Sequence, residues 1–189
     1  LMIRLLAGLF TLALMALLGL GMLLFTAIDT RPLVERGETV STDAIDQARK
    51  LLLANDPRRL REGEERSALI PASLLDEGVN YVATQLLHGR GALSLQEKSA
   101  EIRLSLPLPG TPGYLNLRAT MPEAAGEPRI AALRVGDVPI PAVFAEQALD
   151  LALNSLGYGQ QWRMARAAVR ELAFDPARGM VDVRYAWDP

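Results

Sequence analysis

The sequence predicts an α+β domain behind a membrane-spanning helix, and three patterns carry that expectation. Residues 5–28, LLAGLFTLALMALLGLGMLLFTAI, hold no charged side chain. Residues 92–121 alternate between apolar and polar at a period of two, as half-buried strands do. Apolar stripes at helical spacing stand on both sides of that alternation.

A helix as long as the apolar run measures about 36 Å, against about 30 Å of bilayer hydrocarbon. It is apolar on every face, which suits lipid. The run outlasts the about 7–15 apolar residues of a signal peptide, and no A-x-A-like site follows it. No G-x-x-x-G marks a helix-dimer face. Arg4 flanks one end and Arg31 and Arg36 the other, so positive charge leaves the orientation open. The expected organisation is a transmembrane anchor over residues 1–28, a polar, proline-containing connector over 29–40, and a translocated domain over 41–189.

Composition narrows the function. The rest of the 189-residue chain suffices for one domain with its own core. A net charge of −2 gives no field to attract nucleic acid. The absence of cysteine excludes a disulfide framework and any thiolate metal site. Aromatics make up 5% of the chain, so the core must be aliphatic.

The elements follow in order. Ser41 or Thr42 suits a helix start, and Ile45, Ala48 and Leu52 recur at helical spacing until Asn55 and Pro57. A charged loop over 57–66 leads to a short strand over 67–70. Ser73 and Asp76 stand at capping-box spacing before a second helix with Leu75, Val79, Val82 and Leu86 on one face, ended by Gly89. Leu93 and Leu95, then Ile102, Leu104, Leu106 and Leu108, then Leu115, Leu117, Ala119 and Met121, form an antiparallel meander with one buried and one wet face. A further strand is expected over 130–135. At residues 136–141, GDVPIP, the prolines lack N–H groups and cannot continue a central strand, so the chain should leave the sheet there. Pro141 then opens a broadly apolar helix marked by Phe144, Ala148 and Leu151, held inside a curved sheet. Residues 162–168 fit helix or strand. A closing hairpin, 169–174 and 181–187, ends the chain. Its apolar last strand fits the front part of a longer polypeptide.

Little chemistry is visible. The one histidine, His88, cannot supply a metal site alone, and no nucleophile elbow, phosphate loop or zinc-protease motif occurs. No metal or cofactor is expected, and the chain is expected not to be an enzyme. Glu101 and Asp182 are carboxylates on polar strand positions without a pairing signal. Arg58, Arg59, Arg61 and Arg66 form a basic cluster that could hold lipid phosphates; Glu62, Glu64 and Glu65 in the same loop favour a neutralised, solvated segment.

From about residue 73 to 187, the order of helix, meander, the motif Gly136, Pro139, Ile140 and Pro141 after Leu133 and Val135, apolar helix and strands resembles the single-pass envelope proteins of the YpmS-like family. More distantly it resembles tubular lipid-binding domains. The Arg58 cluster and aliphatic strands also resemble N-terminal regions of anchored proteins of Gram-negative bacteria. The resemblance implies an extracytoplasmic α+β domain on the bacterial inner membrane, facing the periplasm or the outside, with lipid binding as its expected activity and no catalytic residue. Its partners would be the bilayer, a lipid ligand and an envelope protein, not nucleic acid. A slot between the apolar helix and the sheet is the expected ligand groove, lined by Leu104, Leu106, Leu115, Leu117, Ile140, Phe144, Ala148 and Leu151. The alternative to a lipid-binding domain is a structural or assembly subunit of an envelope complex; a hydrolase ranks last.

Overall fold

The computed structural model describes residues 27–37, 41–56, 60–61 and 63–186. The apolar run lies outside them except for Ala27 and Ile28. Among the described residues no helix is long and apolar enough to cross a membrane. The fold is α+β, with two antiparallel sheets and, among the described residues, four helices.

The first sheet contains the expected meander and one strand more: β3 (Arg90–Gln96), β4 (Ser99–Pro107), β5 (Tyr114–Pro122), β7 (Ala132–Val135) and the additional β8 (Val138–Ile140), in that spatial order. A two-residue strand, β1 (Ile28–Asp29), pairs with Tyr114 and Leu115 beside the end of β7. The second sheet runs β2 (Glu65–Pro71), β10 (Met180–Ala186), β9 (Val169–Asp175) and β6 (Ala124–Ala125). The chain passes from one sheet to the other at Glu123, whose carboxylate accepts the Phe174 N–H at 3.1 Å. Ala100, Leu172, Phe174 and Val181 close the core between the sheets, with Leu95 and Met121 against them.

The helices are α1 (Thr42–Ala54), α2 (Ala72–Leu87), α3 (Ala142–Ser155) and α4 (Gly159–Ala168). Helix α2 lies along the edge strand β3 and satisfies its outward N–H groups: Asn80 Oδ1 accepts from Gly91 at 3.2 Å and Asp76 Oδ1 from Leu93 at 2.6 Å. An otherwise open edge is thereby covered. The expected capping box does not form. Pro71 is the N-cap and Asp76 is committed to β3. At the other end His88, not Gly89, takes the left-handed conformation, with φ of 51°. Gly89 serves close approach instead, since a Cβ there would stand 2.6 Å from the Ser105 carbonyl.

The connector is part of the fold. Leu33 N–H donates to Asn116 Oδ1 at 3.0 Å and Val34 N–H to Ser105 Oγ at 3.0 Å. Asn116 Nδ2 donates to Asp29 Oδ2 at 2.7 Å and to the Arg31 carbonyl at 2.9 Å. Farther on, Arg36 pairs with Asp76 at 2.6 Å and with Glu77, and the Gly37 carbonyl accepts from Asn80. Residues 29–37 therefore strap the polar face of the meander from β5 across β4 to α2.

Two expectations about residues 136–151 are corrected. The chain does not leave the sheet at Gly136. Gly136 and Asp137 make a two-residue turn, and Val138, Pro139 and Ile140 pair back along β7 as an edge strand, where a missing N–H costs nothing. Gly136 has φ of 55°, and a Cβ there would lie 2.7 Å from the Ala27 carbonyl oxygen. The hairpin delivers α3 to the edge of the sheet, not over its centre. Ala145 is buried, but Phe144 and Leu151 are 59% and 70% exposed and Ala148 is exposed. Residues 159–168 are helix, and α4 returns along α3 with Trp162 Nε1–H donating to Asp150 at 3.1 Å. The closing hairpin forms over Val169–Asp175 and Met180–Ala186, with residue 187 of the expected strand outside the described residues.

Two measurements check this arrangement. Asn116→Ala strips partners from the Leu33 N–H, the Arg31 carbonyl and the Asp29 carboxylate of the strap and should cost about 2–3 kcal/mol in urea unfolding. Leu151→Ala should change stability by less than about 0.5 kcal/mol, whereas Phe174→Ala in the inter-sheet core should cost about 3–5 kcal/mol.

Candidate functional site

The apolar face of β4 continues past the closed core to Ile102 and Leu104, and the inner face of the second sheet to Ala68, Ile70, Val183 and Tyr185. Between these faces, α1 and α2 the structure leaves an apolar cavity of about 630 Å³. Helix α2 forms its longest wall through Leu74, Leu75, Val79, Val82 and Ala83. Helix α1 contributes Ala48 and Leu51. The polar side chains on the wall, Asn55 and Tyr185, face each other: Tyr185 Oη donates to Asn55 Oδ1 at 3.3 Å.

The geometry follows from small residues. Gly78 sits in mid-helix on the cavity wall where it opens to solvent, and a Cβ there would meet nothing within 4 Å. Ala83 is fully buried and Ala68 nearly so. Larger side chains at these positions would occupy the space. A glycine in a helix interior costs about 0.5–1 kcal/mol relative to alanine, so the room it leaves is not free of cost.

The structure redistributes the expected groove residues. Leu104 lines the cavity. Leu106, Leu115, Leu117 and Ile140 are half-buried elsewhere on the same sheet face. Phe144, Ala148 and Leu151 lie on the exposed surface of α3 and do not enclose a slot with them, because α3 starts from the sheet edge. What sequence reasoning missed was the site's main wall. The α2 stripe of Leu75, Val79 and Val82 was legible, and so was the glycine within it; together they signal a helix face that does not close on its neighbours.

The other chemical groups are accounted for. Arg58 and Arg59 lie outside the described residues. Arg66 pairs with Glu64 at 3.0 Å, and Glu64 accepts the Arg61 N–H at 3.2 Å. That backbone hydrogen bond, then the Arg66 side chain, hold the Glu64 carboxyl below its ordinary value. Glu101 and Asp182 stand on different sheets. Arg184 on the outer face of the second sheet pairs with Glu171 and, at 4.0 Å, with Glu65. Among the described residues no group of three histidine, cysteine or acidic side chains could hold a metal ion.

No protein-family model, no curated protein and no solved structure matches the chain.

The cavity wall makes one stability prediction. Gly78→Ala adds a methyl group in open space and removes the backbone-entropy cost of glycine, so it should stabilise the fold by about 0.5–1 kcal/mol in denaturant titration. A loss of stability would mean that the position is closed.

Proposed function

We propose that this chain is a single-pass, membrane-tethered domain on the outer side of a bacterial cytoplasmic membrane, and that it binds an acyl chain or another apolar ligand without catalysing a reaction. The observation that carries the reading is the cavity between α1, α2 and the two sheets. Its volume of about 630 Å³ falls in the ordinary range of ligand sites, which are concave and mostly apolar. The uncharged run at residues 5–28 supports the tether, and the resemblance to YpmS-like envelope proteins and tubular lipid-binding domains agrees with both parts.

A second reading, an assembly subunit of an envelope complex, has its own support. Val143, Phe144 and Leu151 on α3 are each more than half exposed, and a cluster of large exposed apolar side chains favours a protein contact.

Titration separates the two. Residues 27–189, which keep the strap, are titrated with a fatty acid carrying a fluorophore. Saturable binding is expected, and Gly78→Phe, which places a ring in the cavity, should abolish it with circular dichroism unchanged. Phe144→Asp should leave it intact. Absence of saturable binding up to the solubility limit would remove the lipid reading and leave the assembly reading standing.

A further inference from the structure

The polar face of the first sheet carries a feature that neither cavity nor strap uses. Strand register places Arg103 opposite Arg118 and Arg118 opposite Arg134. Three guanidiniums thus stand in one row across β4, β5 and β7. Like charges directly opposite one another destabilise a sheet. Among the described residues one carboxylate lies within ion-pair distance of the row: Glu101, 3.6 Å from Arg103 Nε and 3.8 Å from Arg118 Nε. Arg134 donates to a backbone oxygen, that of Asp137, at 2.8 Å. Arg103 Nε is buried and donates no hydrogen bond. Arg118, Arg134 and the neighbouring Ala132 are exposed and Arg103 is half-buried, so the row is open to solvent at its Arg118 and Arg134 end. On the strap, the Asp29 carboxylate is held by the Asn116 amide.

An independent observation says what the row faces. The described chain enters the sheet at Ala27, packed on the turn at Gly136, whose N–H donates to the Asn116 carbonyl at 2.7 Å. Arg118 lies two residues from Asn116 and Arg134 two from Gly136, about 7 Å along the strands. The arginine row therefore borders the point where the apolar run joins the domain.

We propose that Arg103, Arg118 and Arg134 form a phosphate-binding row that docks the domain onto anionic lipid headgroups of the membrane holding its own N-terminal run. The guanidinium fork matches phosphate oxygens bidentately and is weakly hydrated, so arginine suits this contact better than lysine. The ligand offsets the repulsion that the row otherwise carries. The proposal rests on residues 5–28 being an anchor and is independent of the cavity's occupant.

The chain contains no cysteine, so Thr120→Cys, on the same sheet face, gives a single site for a spin label. The full-length chain is placed in nanodiscs of phosphatidylcholine alone, or of phosphatidylcholine with phosphatidylglycerol, and contact between the label and headgroup-chelated nickel is measured. Contact should rise with phosphatidylglycerol and fall as salt is added. Arg118→Gln and Arg134→Gln should each lower the docked-to-undocked ratio by about fivefold, and Arg118→Lys should retain more of it. Removing one of three facing charges should also raise the melting temperature. Contact that is independent of phosphatidylglycerol in the labelled protein overturns the proposal without recourse to any further variant. Saturable broadening of the inorganic phosphate resonance by the row, with no dependence on lipid charge, would assign it to free phosphate and overturn the headgroup assignment. A chain that fails to enter the discs at all would overturn the anchor instead.

Discussion

The carboxamide of Asn116 is the contact on which the arrangement of this domain depends. Its oxygen accepts from the Leu33 N–H and from the Ser105 hydroxyl, and its nitrogen donates to Asp29 and to the Arg31 carbonyl. Two donors and two acceptor positions are thus all used. Ser105, directly opposite in the sheet, passes the chain of bonds on by accepting from Val34. Both side chains are buried, at 7% and 1% exposure. A buried polar pair without partners would cost more than an apolar pair. The strap and the Ser105–Asn116 pair therefore require each other: without the strap the sheet would bury unsatisfied polar groups, and without the pair the strap's N–H groups would have no partner on the sheet.

Helix α2 carries this constraint to the cavity. One of its faces holds Asp76, Glu77 and Asn80, which tie it to Arg36, Gly37 and the edge of β3. Another holds Leu74, Leu75, Val79 and Val82, which wall the cavity. The helix is therefore fixed by polar contacts on the side that faces β3 and the strap, and its apolar side need not close on a partner to hold it in place. That division explains how an apolar wall can stand open. In most amphipathic helices the apolar stripe supplies the packing energy; here edge hydrogen bonds and a pair of ion contacts at half-buried positions share that task.

The sequence made some of this legible and not the rest, for identifiable reasons. Period-two alternation in β4 and β5 revealed the meander and its two faces, because side chains on a strand must alternate. The hairpin β9–β10 was legible for the same reason. Helix α3 was misplaced because its composition is apolar around much of its circumference, and composition does not say which side meets the sheet; the two-residue turn at Gly136 and Asp137 decided that. Ser73 and Asp76 gave a false capping signal because the carboxylate accepts from the Leu93 N–H seventeen residues further along the chain, a contact that local spacing does not encode. The strap and the arginine row were hidden for a common reason. Each depends on register, and nothing in the spacing of Arg103, Arg118 and Arg134 along the chain says that they fall opposite one another.

The strap sets what the arginine row has to achieve. Three arginines at an anionic surface contribute about 1 kcal/mol each, and a total near 3 kcal/mol corresponds to a dissociation constant weaker than about 1 mM. Such a row could not recruit a free protein to a membrane. A chain already tethered needs only to bias its orientation, and the short, hydrogen-bonded approach from Ala27 to Gly37 raises the effective concentration of headgroups at the row. Because side chains alternate across a strand, the row and Leu104 lie on opposite faces of β4. A sheet docked through its arginines therefore turns its apolar face, and the cavity behind it, away from the bilayer. On that geometry the cavity would be reached from the side of the domain that faces away from the bilayer.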